Sequence, residues 1–149
     1  MKIRTNLVLN ISFLMCFLLI SCDPADNRLI IANKSNSDIY FFYSCDSSLR
    51  DLTIFRNGYY KDSAGDSVYV QSNLYVEKKL TRNIPKRGLN AWSNGLNSCE
   101  GGIIHFYIFT EQIANRYSDS EIIDKKMYDK HFTFTIKELK QNNWTITYP

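Results

Sequence analysis

The chain has 149 residues, of which 22% are Asp, Glu, Lys or Arg, and a formal net charge of +3 at pH 7. Lys2 and Arg4 carry two of the positive charges, and the others are interleaved with acids, so no basic field remains to recruit nucleic acid or to hold a membrane by polybasic contact. Four cysteines and two histidines, with no Cys-x-x-Cys or His-x-x-x-His spacing, argue against a metal site.

The first element is for export. Behind Lys2 and Arg4 an apolar stretch runs from Leu7 to Ile20, broken only by Asn10 and Ser12. As a helix rising about 1.5 Å per residue it spans roughly 20 Å, against about 30 Å of membrane hydrocarbon. It is short for a spanning helix and right for the apolar region of a signal peptide. Its apolar residues occupy every face, which does not suit a buried N-terminal helix. The ending Leu19-Ile20-Ser21-Cys22 resembles the lipobox of bacterial lipoproteins. That resemblance implies cleavage between Ser21 and Cys22, diacylglycerol on the Cys22 sulfur and acylation of the new N-terminus. Three acyl chains bury far more methylenes than the single chain that anchors only marginally. Residues 1–21 therefore read as a lipoprotein signal peptide, 22–28 as a short lipidated linker, and 29–149 as a single β-rich domain.

Cys16 leaves with the signal peptide and Cys22 takes the lipid, so Cys45 and Cys99 remain in an exported chain. They form either a disulfide, worth about 4 kcal/mol in the chain-entropy model, or two separate buried thiols.

Ten Tyr, nine Phe and two Trp, with many β-branched residues and three prolines, favour sheet. Leu29 to Ala32 and Asp38 to Ser44 read as strands about the polar turn Asn33 to Asp38, a first hairpin. Leu52 to Phe55 reads as another strand, Asn57-Gly58 as a turn and Lys61 to Asp66 as a loop. Ser67 to Val76 alternates, with Val68, Val70, Leu74 and Val76 inward. Lys86 to Gly102 is rich in Asn, Gly and Ser and predicts a long mobile loop pinned by Trp92. Ile103 to Phe109 is almost wholly apolar, as expected of a central strand covered on both faces.

Ser118 and Glu121 form a capping box that opens a short helix carrying Ile122, Ile123, Met127 and Tyr128. Phe132, Phe134 and Ile136 alternate as a half-buried strand, and Thr135 with Glu138 is a second capping box opening a turn of helix. Asn142-Asn143 turns the chain into a last strand with Trp144, Ile146 and Tyr148 inward. The expected fold is mostly β, an antiparallel sandwich or sheet of about six or seven short strands with one or two short helices near the C-terminus. The segments IIANKSNSDIYFFY, starting at Ile30, and LKQNNWTITYP, starting at Leu139, resemble the two ends of small lipoproteins of the Bacteroidetes. This resemblance implies an envelope location and a β-rich fold and carries no activity. In that phylum acids after the lipidated cysteine accompany surface export; with Asp23 and Asp26 they favour the outer membrane, leaflet open.

No nucleophile elbow, zincin helix, P-loop or dinucleotide fingerprint is present, and no cofactor is implied. His105, in an apolar strand, and His131, on the polar face of another, read as structural residues. Aromatic residues are the better candidates for contact. Alternation puts Tyr40 and Phe42 on one face of their strand, a candidate ring platform, and Tyr59, Tyr60 and Trp92 are further candidates for binding a sugar or a protein. Ser63 and Ser67 lie in Asp-Ser-Ala and Asp-Ser-Val, which resemble the O-glycosylation sequon of exported Bacteroidetes proteins. The leading expectation is a non-catalytic, lipid-anchored binding or structural module with a protein or glycan partner. An inhibitor or immunity-type lipoprotein and a small envelope hydrolase are the alternatives.

Overall fold

The computed structural model describes residues 24–149; the expected signal peptide, the expected cleavage point at Ser21 and the expected lipidation at Cys22 lie outside the described residues. The fold is β-rich with a few short helices. Its axis is β9 (Ile103–Thr110), which pairs antiparallel with β3 (Ile39–Ser44) on one edge and β10 (Lys130–Thr135) on the other. β6 (Tyr75–Val76) adds to the far edge of β3 and completes a four-stranded antiparallel sheet. A second sheet centres on β2 (Ile30–Asn33), antiparallel to β7 (Thr81–Asn83) and parallel to β11 (Thr145–Tyr148).

Strand periodicity explains the layers. Ile39 and Phe41 of β3, with Ile104, Phe106 and Ile108 of β9, meet Ile31, Ile146 and Tyr148 of the small sheet in one core. Tyr40, Tyr107 and Phe109 point to the opposite face, where they pack in a second core with Leu49, Leu52 and Ile54 and with two helices. Those helices are α2 (Glu111–Arg116), through Ala114, and α3 (Asp119–Lys125), through Ile122. β9 is thus clad on both sides, which is why its sequence is continuously apolar rather than alternating. The capping boxes at Ser118 and Thr135 are both formed, and the second opens α4 (Ile136–Gln141), which buries Leu139. At the end of α4, Asn143 and Trp144 take left-handed backbone angles (φ 50° and 58°). That conformation is costly for Trp, and burial of its ring under the Arg28 guanidinium, 4.4 Å away, offsets the cost.

Several expectations need correction. β2 and β3 do not form a hairpin; Asn33 to Asp38 carries the chain from the small sheet to the large one. The buried Asn33 amide makes this crossing, donating to the carbonyls of Ser37, Val76 and Glu77. Turn chemistry dictates a reversal but not a partner, and here the partners are chosen by which core each apolar face joins. Leu52 to Phe55 pairs with no strand; Leu52 and Ile54 are buried as an irregular plug on the helix-bearing face. Gly58, expected in a turn, begins a strand: β4 (Gly58–Lys61) and β5 (Ser67–Val70) form a hairpin about the expected loop, and Val68, expected inward, faces solvent.

The expected mobile loop at 86–102 is ordered structure: β8 (Lys86–Arg87), α1 (Ala91–Asn97) and a 3-10 turn at Glu100–Gly102. Its Asn, Ser and Gly are poor helix formers, so α1 owes its existence to the tertiary burial of Ala91, Trp92 and Leu96. The 22–28 linker is also shorter than expected, because β1 (Ala25–Asp26) pairs with β8. Asp26 explains this. Its side chain is 2% exposed, bonded through both oxygens to Arg28 and accepting the Trp92 backbone N–H near the start of α1. The Arg28 hydrogen bonds hold its carboxyl down to about 2 against the opposing cost of burial, with the Trp92 N–H contributing in the same direction.

Cys45 follows β3 and Cys99 follows α1, and a disulfide joins them with Cα atoms 4.7 Å apart. It ties the end of α1 to the large sheet and closes a long loop between residues 54 positions apart in sequence.

Candidate functional site

The aromatic candidates divide sharply. Tyr40 is buried against Tyr75, with centroids 5.1 Å apart, and Phe42 packs at 6.4 Å from Tyr107. The other face of β3 is covered too, since Phe41 is core and Tyr43 packs edge-on to Trp92 at 5.1 Å. Tyr40 therefore offers no ring platform, because β3 lies between two cores, and Phe42 is half-buried against the second of them. Trp92 is fully buried and donates its indole N–H to the Ile84 carbonyl, so it is an anchor and not a contact residue.

Tyr59 and Tyr60 are different. They lie on β4, and among the described residues the β4–β5 hairpin joins no other strand. Register places Tyr59 opposite Tyr69 and Tyr60 opposite Val68, so the two pairs lie on opposite faces. Both faces meet solvent: Tyr59 is 76% exposed, Tyr69 55%, Val68 45% and Tyr60 38%, and Phe55 at the base is 44% exposed. The rings are ordered among themselves, Tyr59 edge-on to Tyr69 at 5.3 Å and Phe55 stacked on Tyr60 at 4.9 Å. Ser63 lies in the connecting turn and Ser67 is the first residue of β5, both exposed. The turn is braced by Asp62, whose carboxylate accepts the N–H groups of Ala64 and Asp66.

The base of the hairpin is bolted to the body. The Arg56 guanidinium donates to the carbonyls of Ile54, Ala114 and Tyr117 and pairs with Asp119 at 2.7 Å. Asn57 donates its N–H to the Tyr40 hydroxyl and accepts the Ser72 N–H through its side chain. A fixed base with an uncovered blade holds the exposed rings in a defined place.

A second feature lies on the helix-bearing face. His105 and His131 stand on neighbouring strands, with Nδ1 of one 3.0 Å from Nε2 of the other. His131 stacks parallel on the Tyr107 ring at 4.3 Å, and Tyr128 meets both rings edge-on. Burial, and then the nearby His105, pushes the His131 imidazole below its ordinary value. Read singly, each histidine looks structural. Their encounter depends on the β9–β10 register, which puts His131 opposite Tyr107 and Thr133 opposite His105. Sequence inspection missed this pair, because strand order was open and the only available signal was that each histidine lies on an expected strand.

Among the described residues no carboxylate hydrogen-bonds either imidazole, and no three His, Cys, Asp or Glu side chains gather as a metal-ligating group. Among the described residues no helix is long and apolar enough to cross a membrane. No family model, curated protein or solved structure matches the chain.

Proposed function

We propose that the chain is a lipid-anchored, non-catalytic binding module of the cell envelope, and that the β4–β5 hairpin is its contact surface for another envelope protein. The observation that carries this reading is the exposure of large apolar side chains on both faces of the hairpin. An isolated two-stranded hairpin is marginal in water, and a monomer rarely spends aromatic residues on both of its faces without a partner. The outer edges of β4 and β5 also carry unpaired backbone groups, suited to an added strand from a protein. The anchor rests on the Leu19–Cys22 lipobox, and the outer membrane on Asp23, Asp26 and the Bacteroidetes-like segments. With β1 starting at Ala25, only two residues separate Cys22 from folded chain, which keeps the domain against its membrane.

The test is site-directed photocrosslinking in cells, with a photoreactive side chain at Tyr59 or, as a control, at Lys140 on the exposed face of α4. A discrete protein adduct at Tyr59, absent at Lys140 and lost when Tyr69 is changed to Ser, supports the reading. No adduct at Tyr59, or the same adducts at both positions, refutes it. Palmitate labelling of the chain and of Cys22→Ala tests the anchor separately, and equal labelling would remove it.

A further inference from the structure

Beside the histidine pair, a concave groove of about 370 Å³ opens between the 47–50 segment, the end of α3 and the start of β10. We propose that this groove binds a carboxylated sugar residue, with the sugar ring against Tyr128 and His131 and its carboxylate held by Arg50 and Lys126.

Charge is the first argument. Arg50 and Lys126 both line the groove, and no carboxylate does. Neither cation has an ion-pair partner within 4 Å among the described residues. Asp46, which feels the Arg50 charge, lies outside the lining, and its carboxylate accepts the Ser48 N–H at 2.6 Å. An anion entering the groove therefore meets two cations and no acid in the lining.

The walls make the second argument. Tyr107 is buried and serves as a support: its hydroxyl donates to the Ser47 carbonyl and its ring holds the His131 imidazole in a parallel stack. His131 is consequently fixed in orientation although exposed, and Tyr128 stands edge-on beside it at 5.8 Å. Two braced rings at an angle give the apolar C–H face of a sugar a surface to rest on, while a small inorganic anion has no use for them. Ring hydroxyls need hydrogen-bond partners as well, and the rim supplies the hydroxyls of Ser47, Ser48 and Tyr128.

Position is the third argument. Lys126 adopts a left-handed backbone angle (φ 50°) at the end of α3, where its N–H is tied to the Ile122 and Ile123 carbonyls. The chain reversal there brings both Lys126 and Tyr128 to the same rim. A groove built from residues 47–50, 126–128 and 131 exists only in the folded domain. It is separate from the β4–β5 hairpin, so the two readings stand or fall independently.

The experiment uses the purified full chain in a polyoxyethylene detergent, which has neither charge nor sugar, and titrates methyl β-D-glucuronide, methyl β-D-glucoside and acetate. Binding is followed by calorimetry and by the imidazole NMR signals of His131. The glucuronide is expected to saturate near ~1 mM, the ordinary strength for a ligand of its size. The neutral glucoside and acetate are expected to bind at least about fivefold more weakly. Arg50→Gln with Lys126→Gln should remove the advantage of the glucuronide over the glucoside. Tyr128→Leu, a change outside the cation pair, should weaken both sugars. No saturable glucuronide binding overturns the proposal. So does equal binding of the glucoside, equal binding of acetate, or undiminished glucuronide binding in the double variant.

Discussion

β9 and the β4–β5 hairpin draw on the same residue types and meet opposite fates. Phe106, Tyr107, Ile108 and Phe109 are buried on both faces of their strand, whereas Tyr59, Tyr60, Val68 and Tyr69 are exposed on both faces of theirs. The difference lies in what flanks each strand. β9 has strands on both edges and a core on either side, while among the described residues β4 and β5 pair only with one another. Aromatic content therefore measures the capacity of a segment to be buried, and its surroundings decide whether the capacity is used within the chain.

The largest expected effects lie in the clad region. Phe106→Ala should cost about 3–5 kcal/mol of unfolding free energy, read from the denaturant midpoint, because it empties a fully buried site between the two sheets. A loss below about 1 kcal/mol would mean that β9 is less tightly enclosed than its burial indicates. Replacing Cys45 and Cys99 by Ala should cost about 4 kcal/mol, since the bond shortens the unfolded chain across 54 residues. Unchanged stability in that variant would place the constraint elsewhere.

A smaller, pH-dependent effect should come from Asp26. Its carboxyl is depressed from 3.8 to about 2 in the fold, so its stabilisation is present above about pH 4 and is lost as pH falls through 2. Asp26→Asn should therefore be about 2 kcal/mol less stable than the parent at pH 7, with the gap closing as pH falls from 4 to 2. A gap independent of pH would show that shape rather than charge matters at Asp26. The smallest expected effect sharpens the comparison most. Tyr69→Ser should change global stability by less than about 0.5 kcal/mol, since the side chain is largely in water. Hydrogen exchange should show hairpin amides opening well before those of β9. If Tyr69→Ser instead destabilises the whole domain, the hairpin belongs to the core and its exposed rings lose their special meaning.

Much of the clad region was legible in advance. The unbroken apolar run of β9, the strict alternation of Ile146 and Tyr148, and the two capping boxes are local patterns whose energetics act within a few residues. The pairing of Cys45 with Cys99 was one of two open readings, because spacing alone does not bring two thiols together. The candidate sites were far less legible. Tyr59 and Tyr60 were flagged beside Tyr40, Phe42 and Trp92, and nothing local separates the exposed pair from the buried Tyr40 and Trp92 or the half-buried Phe42. Arg50, Lys126, Tyr128 and His131 meet at one groove from segments far apart in sequence, so no spacing rule could have gathered them.

Sequence alone determined β3, β9 and β10 of the central sheet, the starts of α3 and α4 and the expectation of export with a lipid on Cys22, because each depends on periodicity or on side chains a few residues apart. Tertiary structure alone decided that β2 and β3 join different sheets, and that an Asn- and Gly-rich segment becomes α1 around Trp92. It also decided that of five flagged aromatics Tyr59 and Tyr60 stand in solvent, Tyr40 and Trp92 are buried and Phe42 is half-buried. Each of these outcomes depends on which distant surface covers a side chain, and burial is a property of the packed whole.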